Sequence, residues 1–310
     1  MGRIACLGEC MIELIERPDG TLTRQFGGDT LNTALYLARL GVPTDYVTAL
    51  GDDPFSEALL AAWRQEGIGT DAVPRLPGRL PGLYMIQTDA AGERRFHYWR
   101  DSAPVRQLFD LPETPAIQAA LRAAELVYLS GVTLSLFGEK GRERLFDTLA
   151  QVRQGGAKVA FDSNFRPRGW PDRQVARAAF DRMAASADIV LASVEDYTLL
   201  DGTDDPGILA DRLATAAVPE IIVKLTEPAC RVLAGGVDVL VRGTQSGAVV
   251  DTTAAGDSFS AAYLAARRSG AGPVAAAAAG HRLAGNVVRH RGAIIPRGAM
   301  PPAAVILEGP

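Results

Sequence analysis

The feature that most constrains this chain is a regular alternation of short apolar runs and amphipathic stretches between residues 126 and 225. Leu126 to Ser130 has strand character and Glu139 to Gln154 helix periodicity. A strand Lys158 to Asp162, a helix Arg173 to Ala185 and a strand Ile189 to Ala192 follow. Helices near Glu195 to Leu200 and Ile208 to Ala216 then lead to a strand Glu220 to Leu225. Strands alternating with helices imply a parallel sheet covered on both faces. The fold class that follows is α/β, with three layers in the order α/β/α and a mostly parallel central sheet.

The flanking regions fit around that sheet. Arg3 to Leu7 and Val47 to Leu50 read as buried strands. Thr30 to Leu40, Ser56 to Glu66 and Ile117 to Ala123 read as helices, the first two stopped by Gly41 and Gly67. Two strand-rich excursions, about residues 10–27 and 82–100, break the alternation. They contain Met11 to Ile15, Thr21 to Phe26, Leu83 to Thr88 and Arg95 to Arg100, the last two joined by a turn at 89–93. A small β-sheet lid over the carboxyl edge of the main sheet would use them. Hairpin-like strands are expected around Val232 to Arg242, and two long Ala-rich helices over Gly256 to Ser269 and Pro273 to Arg289. With no internal repeat and no low-complexity linker, residues 1–310 read as a single domain.

Composition excludes several classes. The 310 residues are 47% hydrophobic and 22% charged, with 32 basic and 36 acidic side chains and a net charge of −4. That balance lacks the basic footprint of a nucleic-acid binder. Cys6, Cys10 and Cys230 are too few and unevenly spaced for a disulfide framework, and no second pair completes a zinc site. No apolar stretch approaches the ~20 residues of a membrane span. A cytoplasmic protein without membrane partners is the expectation.

The segment richest in chemistry is Asp251-Thr252-Thr253-Ala254-Ala255-Gly256-Asp257-Ser258-Phe259, which follows the strand-like Ala248-Val249-Val250. Small residues at a helix start let backbone N–H groups crowd round an anion, where the helix dipole also favours negative charge. Asp257 beside that hole would be repelled by a phosphate. It makes sense as the group that takes a proton from an attacking hydroxyl. Ala254, Ala255 and Gly256 then form the cradle that stabilises the transferred charge. A plain capped helix is the alternative for this stretch alone. In the other half, Gly27-Gly28-Asp29-Thr30-Leu31-Asn32-Thr33-Ala34 offers close backbone approach and a two-way hydrogen-bonding amide at Asn32. A turn leading into a helix would have the same look.

Together these strings resemble the two signatures of the ribokinase-like (PfkB) sugar kinases, Gly-Gly-x-x-x-Asn-x-Ala and Asp-Thr-x-Gly-Ala-Gly-Asp, with Ala254 where many members carry Gly. Gly8-Glu9-Cys10-Met11, Phe96-His97-Tyr98-Trp99-Arg100, Asp162-Ser163-Asn164-Phe165-Arg166-Pro167 and Arg291-Gly292-Ala293-Ile294-Ile295-Pro296-Arg297 extend the likeness over nearly the whole chain. They resemble the bacterial 2-keto-3-deoxygluconate kinases rather than ribokinases or fructokinases.

The resemblance implies ATP-dependent phosphorylation of a keto-deoxy sugar acid, with Asp257 as base. It implies substrate contacts from Gly28, Asp29, Asn32, Tyr84, Tyr98, Arg100, Arg166 and Asp257. It places ATP against Asn164, Arg166, Lys224, Ala254, Gly256 and Asn286. Independently, an arginine fork suits a carboxylate, which favours an acidic sugar at Arg100 and Arg166. The family's glycines after the lysine are missing in Lys224-Leu225-Thr226-Glu227-Pro228-Ala229, and Pro228 has no N–H to give. Magnesium would bridge the phosphates near Asp196, in Ser193-Val194-Glu195-Asp196 where the family has Asn-x-x-Glu; acids beside a helix dipole are the other reading. The family often dimerises through its lid, so a homo-oligomer is expected. His97, His281 and His290 read as ordinary residues. A kinase for another sugar, or a non-catalytic sugar-acid sensor on the same fold, remain as competing functions.

Overall fold

Along each central strand, alternate side chains enter two different cores. Val127 and Leu129, Val159 and Phe161, Val190 and Ala192, Ile221 and Val223 join one apolar cluster. Leu126 and Tyr128, Ala160, Ile189 and Leu191, and Ile222 join the other. A strand buried on both faces needs a helical layer on each side, and this chain supplies both.

The computed structural model describes residues 2–17, 19–88, 94–243 and 247–309; the turn expected at 89–93 lies outside them. The elements run β1 (Ile4–Leu7), β2 (Met11–Glu16), β3 (Leu22–Gly27), α1 (Asp29–Arg39), β4 (Thr44–Val47), β5 (Leu50–Gly51), α2 (Pro54–Gln65), β6 (Ile68–Gly69), β7 (Arg75–Leu76), β8 (Gly82–Thr88) and β9 (Arg94–Trp99). Then come α3 (Thr114–Ala123), β10 (Leu126–Ser130), α4 (Gly131–Leu136), α5 (Glu139–Gln154), β11 (Lys158–Asp162), α6 (Arg173–Ser186), β12 (Ile189–Ser193), α7 (Val194–Asp201) and α8 (Pro206–Thr215). The chain finishes with β13 (Glu220–Lys224), β14 (Ala229–Ala234), β15 (Val237–Arg242), α9 (Ala255–Arg268), α10 (Pro273–Val287) and α11 (Ala303–Leu307).

The main sheet has the order β15-β14-β13-β12-β11-β10-β1-β4-β6. Pairing is parallel from β6 to β13 and antiparallel for β14 and β15. Helices α3, α5, α6 and α8 contribute to the first core, and α1, α2, α9 and α10 to the second. No helix among the described residues is long and apolar enough to cross a membrane.

The two strand-rich excursions build a separate four-stranded sheet, β3-β2-β8-β9. Here β2 and β8 run parallel, and β3 and β9 flank them antiparallel. On β9, Phe96, Tyr98 and Trp99 are exposed, Trp99 by 60%.

Three expectations need correction. The strand read at Val47 to Leu50 is two, β4 and β5, which join different sheets. Val249 and Val250 are exposed and lie in no strand; the amides of Val250 and Asp251 both bond the Val288 carbonyl at the end of α10. Helix α4 was not foreseen. It is only six residues long, and its start is a reciprocal cap between Ser130 and Thr133 rather than an amphipathic stripe.

Candidate active site

Helix α9 starts without a side-chain cap, on Ala254 at φ 59° and ψ 17°. This left-handed backbone costs a residue with a Cβ roughly 1–2 kcal/mol, which explains why Gly suits the position and marks Ala254 as strained. Beyond it, the Ala255 N–H bonds the Thr252 carbonyl at 3.1 Å, and Ser258 N–H bonds Ala254 at 2.9 Å. Between them, the amides of Gly256 and Asp257 have no acceptor among the described residues. The open part of the cradle is therefore Gly256 and Asp257; the expectation that the Ala255 amide belongs to it is corrected.

Asp257 is partly buried in the first turn of α9. Its Oδ2 accepts from Asn32 Nδ2 at 2.8 Å, and its carbonyl lies 3.2 Å from the Thr33 hydroxyl. Burial raises its pKa to about 8, with the charges of Asp29 and Asp162 adding to the effect; the Asn32 hydrogen bond and Lys224 oppose it. Such a carboxyl is poised to exchange a proton near neutral pH. Asn32 Oδ1 is buried with no partner among the described residues.

Asp29, at the first position of α1, accepts from Asn164 Nδ2 at 2.6 Å. Asn164 itself has a positive φ of 22°. Lys224, the last residue of β13, places its ammonium 2.8 and 3.0 Å from the two oxygens of Asp162. The same ammonium is 3.6 Å from where a Cβ on Gly256 would stand. Next to Asp162, Ser163 Oγ donates to Asp196 Oδ2 at 2.6 Å. Arg166 Nη1 meets Asp196 Oδ1 at 3.2 Å. Burial raises the Asp196 pKa, against its bonds to Ser163 and Arg166.

The four-stranded sheet meets α1 through Glu9. A Cβ on Gly28 would lie 2.1 Å from the Glu9 carbonyl oxygen, so only glycine fits there. The Glu9 carboxylate is buried and pairs with Arg100 Nη2. A Cβ on Gly82 would fall 2.7 Å from its other oxygen. That oxygen and Arg100 Nε are both buried without partners among the described residues. Tyr84 donates to Glu13, and its ring lies 5.9 Å from that of Tyr98.

Asp29, Asn32, Asn164, Lys224, Ala254, Ala255, Gly256 and Asp257 thus form one linked group. Arg166 and Asp196 adjoin it through Ser163, and Gly28, Tyr84, Tyr98 and Arg100 through Glu9 and the second sheet. Asn286 stands apart on α10: its Oδ1 is buried with no partner, and no described side-chain bond ties it to the rest. Three buried residues were not anticipated, namely Asp162, Glu9 and Thr33. Glu9 and Asp162 do lie inside the short strings Gly8-Glu9 and Asp162-Ser163-Asn164, which was the available signal.

Among the described residues, no group of three His, Cys, Asp or Glu gathers to hold a metal directly. A lone acid such as Asp196 suits an ion that keeps most of its waters. The three cysteines are free and buried.

The model for the pfkB family of carbohydrate kinases matches residues 1–299. The chain is a pfkB family carbohydrate kinase. Among relatives of this kinase is a 2-dehydro-3-deoxygluconokinase of Dickeya dadantii, 43% identical over 96% of this chain and 98% of that one. The enzyme of the same name from Escherichia coli is 42% identical over 96% and 99%. The fold matches the crystal structure of a PfkB protein from Polaromonas sp., with a TM-score of 0.85, 23% identity and full coverage of both chains.

Proposed function

We propose that this kinase transfers the γ-phosphoryl group of ATP to the primary 6-hydroxyl of 2-keto-3-deoxygluconate. The observation that carries this reading is Asp257: a partly buried carboxyl with a raised pKa, beside two helix N-terminal amides that have no acceptor among the described residues. The name shared by relatives above 40% identity supports the substrate.

Asp257 receives the proton of the 6-hydroxyl as the new O–P bond forms and the bond to the ADP leaving group breaks. The amides of Gly256 and Asp257 donate to the oxygens of the passing phosphoryl group. Donors of this kind, fixed in advance, are typically worth 10²–10³-fold in rate each. Asn32 keeps the Asp257 carboxylate turned in one direction. Arg166, exposed beside the ends of β11 and β12, and Arg100, at the end of β9, supply the charge for the sugar carboxylate. Magnesium, when bound, would neutralise phosphate charge, with Asp196 holding its water shell. Asn164 and Asn286 would serve the nucleotide. The four-stranded sheet acts as a lid over this edge within a single domain. The face of this sheet that carries exposed Trp99, opposite the one with Tyr84 and Tyr98, is where two copies would pair.

A coupled assay for ADP with 2-keto-3-deoxygluconate and a panel of neutral sugars tests the reading. The expected result is turnover of the sugar acid, and a loss of about 10²–10⁴-fold for Asp257→Asn. Wild-type rates in that variant would remove Asp257 as base. A neutral sugar turned over faster than the acid would replace the substrate.

A further inference from the structure

A lysine is out of place at the start of a helix, where the macrodipole presents positive charge. Lys224 is found there, with its ammonium 3.6 Å from the Cβ position of Gly256. What holds it is Asp162, a carboxylate only 3% exposed. Both of its oxygens take the ammonium, at 2.8 and 3.0 Å. Ser260, one turn along α9, donates to its Oδ2 at 2.7 Å, and the Tyr128 hydroxyl lies 3.4 Å away. The Tyr128 hydroxyl is in turn 3.2 Å from that of Thr33, whose oxygen is the same distance from the Asp257 carbonyl. The ends of β11 and β13 and the first turns of α9 and α1 are thereby joined through one acid. A buried ion pair this costly to desolvate is weak evidence of stability by itself. Its orientation toward the two open amides is what gives it a purpose.

We propose that Asp162 is a positioning residue for phosphoryl transfer, holding the Lys224 ammonium at the mouth of the Gly256–Asp257 cradle as its side-chain donor. The inference rests on the kinase reading above and adds to it a residue outside the contact set. Resting opposite Asp162, the ammonium is already partly desolvated and aimed before an anion arrives. It gains its second partner only as negative charge enters the cradle, which is the differential interaction that speeds a reaction.

The test is a double-mutant cycle in the full chain, with ATP and 2-keto-3-deoxygluconate. Lys224→Met should lower kcat about 10²-fold, the usual cost of losing one fixed donor. Asp162→Asn, which keeps an acceptor for Ser260, should lower it about 10-fold on the same grounds. The double variant should match Lys224→Met within about 2–3-fold, because Asp162 acts only through the lysine. A double variant slower by the product of both losses would overturn the proposal, as would wild-type kcat in Asp162→Asn. If Asp162→Asn alone does not fold, Lys224→Met against the double variant still decides it, since the double removes both charges together.

A second readout is the acid limb of kcat/KM. Asp257 is faced by Asp29, Asn32 and Tyr36 from α1, Tyr128 from β10, Asp162 from β11 and Lys224 from β13. Removing the negative neighbour should move the limb to lower pH, and removing the positive one to higher pH. Shifts in the same direction would refute the assignment. Asp257→Asn serves as the reference: if it keeps wild-type activity, the base assignment fails while the cycle remains readable.

Discussion

Asp257 answers to two opposed demands. As a base it must be ionised, yet desolvation and the neighbouring Asp29 charge favour the protonated form and lift its pKa from 3.8 to about 8. The acid limb of kcat/KM should therefore sit near pH 8, with activity falling below it. Stability moves the other way. The folded chain holds this proton more tightly than the unfolded one, so the contribution is complete below pH 3.8 and is lost as pH rises through about 8. Asp257→Asn removes that loss. Its melting temperature should exceed that of the wild type by a margin that widens from pH 6 to pH 9, and a margin independent of pH would contradict the raised pKa. Ala254 is a second strained residue on the same turn. Its φ of 59° suits glycine, so Ala254→Gly should stabilise the chain by up to about 1 kcal/mol in urea unfolding. A destabilisation would mean that the left-handed turn is not populated.

At the scale of elements, position matters more than propensity. Helix α1 can carry Asn32 to Asp257 only because Gly28 lets its first turn press against the β1–β2 connection, where any Cβ would stand 2.1 Å from the Glu9 carbonyl oxygen. Gly28→Ala should cost about 1–3 kcal/mol, the usual penalty of overpacking, and should lower kcat as Asn32 moves off the carboxylate. Unchanged unfolding and turnover would show that the contact is soft. The period of the helices was legible from residues alone: α5 and β11 run over the very ranges their patterns indicate. The irregular segment before α9 was not, because Val249 and Val250 have strand chemistry but no neighbouring strand to pair with. The pairing of Asp162 with Lys224, and of Glu9 with Arg100, was equally out of reach. These partners lie 62 and 91 residues apart and meet only through sheet order.

Across the whole molecule, residues 292–295 tie α1 to the segment before α9. Gly292 N–H bonds Asp251 Oδ2 at 3.0 Å, the Tyr36 hydroxyl donates to the Ala293 carbonyl at 2.7 Å, and Arg39 Nη1 donates to the Ile295 carbonyl at 2.7 Å. Helix α1 and the second signature string, so distant in the chain, are thus fastened to a common segment. Fold class and signature residues could be read from the sequence, because strand–helix alternation and glycine spacing are local. The second sheet's placement and the enclosed acids depend on packing that no local pattern encodes. That second sheet also has a practical use. Of the three indoles, Trp63 and Trp170 are buried while Trp99 stands 60% exposed on β9. Acrylamide should quench Trp99 selectively in the unpaired chain, giving an intrinsic optical gauge on the second sheet. Saturation with sugar acid should reduce that quenching if the sheet swings inward, and an unaltered Stern–Volmer slope would mean that it stays where it is.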